Sequence, residues 1–138
     1  LLLGEGEQRG GLERLIDSLG LGDDVQLPGF VDNPFQYMGN AAVYVLSSAW
    51  EGLPSVLIQA MACGCPVVGT ACPSGPREIL DDGRLGRIVP VDDVDALADA
   101  IVETLDSDNK IQQGKDFVYQ KFSLDASLQG YAKIFFTD

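Results

Sequence analysis

The chain contains no histidine. That absence alone removes catalytic triads built on a histidine base and HExxH metal sites. Cysteine is scarce too: Cys63, Cys65 and Cys72 are the only three, an odd number whose first pair is spaced C-x-C. Neither a zinc site nor a disulfide framework fits that pattern, so reduced, mostly buried thiols in cytoplasm are expected. Cations are few, nine Lys and Arg against 21 Asp and Glu, for a formal charge of −12. So acidic a surface repels nucleic-acid phosphates and anionic lipid, and nucleic-acid binding is not expected. An anionic ligand would have to be held locally, by backbone amides or single cations. No apolar run approaches the roughly 20 residues of a membrane-spanning helix, and no secretory signal pattern is read at the start.

What is present is ordinary for a folded domain. Across 138 residues, 46% are hydrophobic and 22% charged, close to globular averages and enough to bury a core. Methionine does not stand at position 1, and Leu1-Leu2-Leu3-Gly4 reads as the end of a buried strand without a preceding partner. A cut inside a longer protein is expected on that ground, with 1–138 a single domain truncated at its N-terminal side.

Along the chain, strand-like and helix-like segments alternate. Gly4-Glu5-Gly6 turns into an amphipathic helix near Gly10–Leu19, with Leu12, Leu15, Ile16 and Leu19 on one face and Gly20 as its stop. A strand is expected at Val25–Pro28, a short helix from Asn33-Pro34 through Met38, and an apolar strand at Ala42–Ser47. A helix opening at Pro54 and ending near Gly64 follows, then a strand at Pro66–Thr70 and a short helix from Ser74-Gly75-Pro76 through Leu80. Arg87–Val89 reads as a strand, and Asp93–Leu105, Asp108–Phe122 and Ser123–Phe136 as helices. Such alternation predicts an α/β fold: a Rossmann-like parallel sheet with helices on both faces. The closing helices have no strands between them, so they are expected to pack back across the sheet or bridge to a further domain.

In such sheets ligands bind beyond the carboxyl ends of the strands, where helix N-termini gather. Two of those ends carry unusual residues. In Glu51-Gly52-Leu53-Pro54-Ser55-Val56, proline suits the first helical position and would leave Leu53 as the cap residue, which leucine cannot serve. The amides of Ser55 and Val56 then need an acceptor. A bound phosphate would supply one in the field of the helix dipole, and Glu51 or the Ser55 hydroxyl could do so locally. Gln59, one turn on and the one long polar side chain of an otherwise apolar helix, needs either a backbone carbonyl or ligand hydroxyls. At the second end, Ser74-Gly75-Pro76-Arg77-Glu78, Gly75 lets the backbone approach a ligand closely. Arg77 opposes the helix dipole and points either to an anion or to a salt bridge with Glu78 or Asp81. Gly4-x-Gly6 is weak support for dinucleotide binding, because Arg9 stands where a third glycine would be needed.

Taken together these residues resemble the retaining family 4 glycosyltransferases of GT-B architecture, specifically their C-terminal, nucleotide-sugar-binding half. The likeness runs through Gly4-Glu5-Gly6, Val25–Asp32, Ser47–Gly64, Pro66–Val68, Cys72–Leu80, Gly86–Val89, Phe122-Ser123 and Tyr131. Its most specific stretch is the acidic loop, the helix behind it and Ala60-Met61-Ala62-x-Gly64-x-Pro66-Val67-Val68 in fixed register. The resemblance implies a nucleotide-diphosphate sugar donor. Glu51, as the catalytic residue, would contact the hydroxyls of the transferred sugar, with the amides of Gly52 and Leu53. Ser55 and Val56 would hold the diphosphate, with Ser74 and Gly75 lining it. Gln59 would hold the ribose, and Phe30 and Val31 would face the base.

It further implies transfer with retention of anomeric configuration and no metal or other cofactor. The acceptor, a glycan, a lipid-linked saccharide or a small molecule, would be held by a separate N-terminal domain. The setting would be cytoplasmic, or peripheral to the inner membrane face through that domain, and this piece alone would be inactive. The family's second motif glutamate is Gln59 here. A non-catalytic nucleotide-sugar-binding module and a sugar-nucleotide 2-epimerase of similar fold are the alternatives.

Overall fold

A computed structural model describes residues 1–107 and 111–136. They fall into two compact units, 1–34 and 35–138.

In the first unit, helix α1 (Arg9–Leu19) ends at Gly20, whose left-handed backbone (φ 68°) lets its N–H reach Asp17 O. The next amide, Leu21 N–H, closes on Ile16 O at 3.0 Å, a glycine-terminated stop of the kind expected. α1 buries no residue, and Leu12, Leu15 and Leu19 are exposed. The strands predicted at Leu1–Leu3 and Val25–Pro28 do not form. Leu1, Leu2 and Leu3 are exposed, and the two segments share one isolated parallel bridge, Leu3 with Gly29. The hydrogen bonds show why: Leu2 N–H reaches Gln26 O and Gly4 N–H reaches Gly29 O. Two residues on one side therefore span three on the other, and the register slips before a ladder can propagate. Pro28 also has no N–H to contribute.

The second unit holds a parallel sheet of three strands in the order β1 (Tyr44–Leu46), β2 (Val67–Thr70), β3 (Arg87–Val89). Val45 lies opposite Val68, and Gly69 opposite Ile88. All four β2 residues are buried, and alternation along the strand sends its valines to opposite faces. Val67 joins a core made by α3 (Ser55–Ala62), the short α4 (Pro76–Ile79) and α6 (Ile111–Phe122), with Leu57, Ala60, Met61, Ile79, Leu80 and Val118 buried in it. Val68 and Val89 meet Ala96, Leu97 and Ala100 of α5 (Val94–Leu105) on the other side. Helices therefore cover both faces of an open parallel sheet, the Rossmann-like α/β arrangement expected.

Several boundaries move. The first strand is Tyr44–Leu46 rather than Ala42–Ser47, and the short helix α2 runs Pro34–Asn40. Pro54 does not take the first helical position. Its ψ of 85° makes it the residue before α3, and Ser55 begins the helix. α5 starts one residue after Asp93, whose carboxylate accepts from Ala96 N–H at 3.0 Å, and α7 (Leu124–Phe135) starts after Ser123, which caps it through Ala126 N–H. Positions 108–110 of the predicted Asp108–Phe122 helix lie outside the described residues. Of the closing helices, α6 packs back onto the first core, and Lys121 pairs with Glu78 at 3.2 Å. α7 buries none of its residues.

Candidate functional site

Because β1 and β2 are parallel, the loops that leave them emerge at one edge of the sheet, and those loops carry the predicted donor residues. They are tied together. The Ser74 hydroxyl donates to Glu51 O at 2.6 Å. Gly75 is buried with φ 89°. A Cβ there would fall on the Pro54 ring and 2.8 Å from Gly52 O. Only glycine lets the two loops approach this closely; the sequence led to an expectation of close approach to a ligand here, and the neighbour the structure shows is the Glu51–Pro54 loop.

The start of α3 bears out the expected lack of a cap, although Pro54 rather than Leu53 is the cap residue. No side chain bonds to its first amides, and Leu57 N–H turns back to Pro54 O at 2.9 Å. Neither local acceptor considered for Ser55 and Val56 is used. The Glu51 carboxylate instead accepts from the Ser48 hydroxyl at 2.7 Å. Ser55 and Val56 are exposed, and no side chain caps their amides in the positive field of an eight-residue helix. Gln59 is half-buried, and its amide makes no hydrogen bond among the described residues. Gly52 and Leu53 are exposed on the same loop.

Sequence reasoning missed the anchorage behind this loop. Thr70, buried at the end of β2, donates to Ser48 O at 2.5 Å, with Leu46 O at 3.3 Å. Ser48 is thus fixed through its carbonyl while its hydroxyl holds Glu51. Tyr44, at the start of β1, lies close enough to Glu51 to feel its charge: burial first, and then the carboxylate, raise the phenol above its ordinary value. Cys65 is pushed up to about 11, chiefly by burial and next by Cys63, as expected of inert, buried thiols. Trp50, beside Glu51, is 81% exposed, and nothing in the sequence pattern separated it from a core aromatic.

Arg77 pairs with Asp82 at 3.9 Å, rather than with Glu78 or Asp81. Glu78 is engaged by Lys121 and Asp81 by Arg84. Arg77 lines an open cavity of about 530 Å³ between β3 and α5, where Arg87 is paired with Glu103 at 2.7 Å. None of the predicted donor residues lines that cavity.

Phe30 and Val31 belong to the first unit, where Phe30 is 82% exposed and Val31 half-buried. Close by, Arg9 donates to Leu27 O at 2.8 Å and pairs with Glu5 and Glu13. The residue standing where the dinucleotide fingerprint needs glycine is therefore a structural clasp.

The family model described as glycosyl transferases group 1 matches residues 1–107. The chain belongs to this glycosyltransferase family. Among curated relatives it is 32% identical over 138 residues to the lipopolysaccharide core biosynthesis glycosyltransferase LpsE of Rhizobium meliloti, covering 96% of this chain and 40% of that protein. It is 37% identical over 108 residues to the N-acetylgalactosamine-N,N'-diacetylbacillosaminyl-diphospho-undecaprenol 4-alpha-N-acetylgalactosaminyltransferase of Campylobacter jejuni, covering 78% of this chain and 30% of that protein. Among solved structures, HepE of Anabaena in complex with UDP and glucose superposes with a TM-score of 0.84 at 27% identity, over 96% of this chain and 39% of that one. TarM of S. aureus, in complex with UDP and two saccharide ligands, gives 0.87 at 22% identity, over 98% and 28%, a likeness of fold. The chain spans less than half the length of each of these proteins. The family match supports the transferase reading over the epimerase and the non-catalytic module. No helix among the described residues is long and apolar enough to cross a membrane.

Proposed function

We propose that residues 1–138 form the donor-binding domain of a retaining family 4 glycosyltransferase of GT-B architecture, which transfers a hexosyl-type sugar from a nucleoside diphosphate. The observation that carries this is the uncapped start of α3 at the end of β1, with Gly75 packed directly onto its loop. That arrangement leaves amides facing outward in a helix-dipole field, which suits a diphosphate in a chain otherwise strongly acidic.

In this reading the Ser55 and Val56 amides hold the diphosphate, and Ser74 and Gly75 line it. Glu51, with the amides of Gly52 and Leu53, contacts the sugar that reacts. The unpartnered Gln59 amide takes a ribose hydroxyl, and Phe30 and Val31 face the base, a role that rests on the resemblance. UDP is the first nucleotide to test, because HepE was solved with it. The protein positions the donor and stabilises the charge that develops on the departing diphosphate, whose oxygens take the acceptor's proton during front-side attack. No metal is used.

The acceptor, a glycan, a lipid-linked saccharide or a small molecule, is held by a separate domain, in keeping with the chain's partial span of its relatives. The enzyme works in the cytoplasm or at the inner face of the membrane. The Campylobacter relative's diphospho-undecaprenol substrate supports the second setting.

Titration of isotopically labelled protein with UDP, without metal and in the presence of a chelator, tests this. Amide shifts centred on Ser55, Val56 and Gly75 are expected. In the full-length enzyme, Glu51→Ala should cut turnover by about a hundredfold, the scale of losing one stabilising group in the transition state. Shifts confined to Gly4–Arg9, or full turnover in Glu51→Ala, would place the donor elsewhere.

A further inference from the structure

Resting on the reading of Glu51 as the donor-sugar carboxylate, we propose that Ser48 is its positioning residue, and that Thr70 is the anchor through which the sheet sets its place. The hydrogen bonds form a directed chain. The hydroxyl of Thr70 is buried at the end of β2 and carries a single proton, which it gives mainly to Ser48 O at 2.5 Å, the more distant Leu46 O lying at 3.3 Å. Ser48 then gives its own proton to Glu51 Oε1 at 2.7 Å. The main chain of Glu51 is held separately, its carbonyl accepting from Ser74 at 2.6 Å.

A carboxylate on a loop would ordinarily sample several rotamers, losing that freedom only when a ligand arrives. Here one oxygen is tied from below, and the other has no partner among the described residues. A carboxylate offers about four acceptor sites, so Ser48 fixes the direction of Glu51 without exhausting its capacity to accept from sugar hydroxyls. Two parallel strands set the geometry, because Ser48 follows β1 and Thr70 closes β2. The serine never needs to touch the ligand. Its contribution is the orientation of Glu51 before the donor binds, which lowers the entropic cost of engaging the sugar.

The readout is the ratio of dissociation constants for UDP and for UDP-glucose, UDP-galactose and UDP-N-acetylglucosamine, measured calorimetrically on the full-length protein. This ratio isolates the sugar's share of binding and cancels any general effect on the nucleotide. Glu51→Ala should shift the ratio for at least one donor by roughly tenfold or more, the scale of a hydrogen bond to a charged group. Ser48→Ala should reproduce most of that shift for the same donor with UDP affinity unchanged. Ser48→Thr, which keeps the hydroxyl, should restore it. Thr70→Val removes the anchor with little change of volume and should shift the ratio in the same direction by a smaller factor, giving a second route if Ser48→Ala does not fold. If Glu51→Ala moves the ratio while Ser48→Ala and Thr70→Val leave it in place, Ser48 is merely a loop residue and the positioning role fails. If Glu51→Ala leaves the ratio unchanged for every donor, the assignment of Glu51 fails and this inference with it.

Discussion

Four helices of the sheet-bearing unit begin in two different ways. α5 and α7 start behind a side chain that takes up a free amide, the Asp93 carboxylate on Ala96 N–H and the Ser123 hydroxyl on Ala126 N–H. α3 and α4 start behind Pro54 and Gly75, which offer no side-chain acceptor. Unused amides alone do not mark a site, since α1 also begins without a side-chain cap, behind Gln8. α5 too follows a parallel strand, β3; what distinguishes α3 and α4 is that their two leading loops are in contact. The capped helices end their hydrogen bonding within the protein. The uncapped pair leaves it open at the edge of the sheet where a ligand of this fold binds.

The largest break in this contrast should come from Gly75→Ala. The added Cβ would fall on Pro54 and crowd Gly52 O, at a φ of 89° that alanine rarely adopts. Backbone strain and overpacking each cost about 1–3 kcal/mol, so a loss of about 2–6 kcal/mol in stability is expected, together with at least a thirtyfold loss of UDP affinity. Thermal denaturation and calorimetry on the same samples measure both. An unaffected affinity would mean that contact between the two loops is not what shapes the site.

The parts of this picture that were legible in the sequence are those governed by local chemistry. The apolar spacing of α5, the helix openings at Asp93 and Ser123 and the Gly20 stop each follow from a residue and its immediate neighbours, whereas the caps those two residues make and the packing of Gly75 on Pro54 were not read. The missing cap at α3 was legible for the same reason, although Pro54 was placed one position too far into the helix. Proline tolerates both the cap and the first helical position, and only the tertiary contact with Gly75 decides between them. Val25–Pro28 failed as a strand because pairing register depends on a partner segment, here bulged against Leu2–Gly4. Ser48, Thr70 and Trp50 were invisible because the direction of a side chain on a loop does not follow from spacing. Arg9 looked like a broken fingerprint, yet it ties α1 to Leu27 through a contact 18 residues away.

A smaller effect should follow from making α3 begin as α5 does. Pro54→Asp would install a carboxylate able to accept from the amides of Ser55 or Val56 and would set a negative charge where a diphosphate is proposed to lie. A cap is worth about 0.5–2 kcal/mol, offset in part by the loss of the buried proline ring, so stability should change little. UDP affinity should fall by roughly tenfold or more, the equivalent of about 1.4 kcal/mol. Pro54→Ala serves as the control, because it alters the packing without filling the amides. If Pro54→Asp and Pro54→Ala weaken UDP equally, the open amides of α3 do not hold the phosphate.

The smallest expected effect tests the other half of the comparison. Asp93→Ala removes the acceptor at the start of α5, leaving Ala96 N–H to water because the cap residue is exposed. The carboxylate also sits favourably in the helix dipole, and Asp95 remains in the first turn to retain part of that benefit. The loss should therefore be about 1 kcal/mol of stability, read as a lowered denaturation midpoint at unchanged slope. UDP affinity should stay within twofold of the parent, since α5 packs on the face of the sheet formed by Val68 and Val89. Asp93→Asn, which keeps an acceptor, should recover most of the stability. A drop in UDP affinity for Asp93→Ala, matched by recovery in Asp93→Asn, would mean that the capped helix also feeds the site, and the division into closed and open helix starts would no longer separate structure from binding.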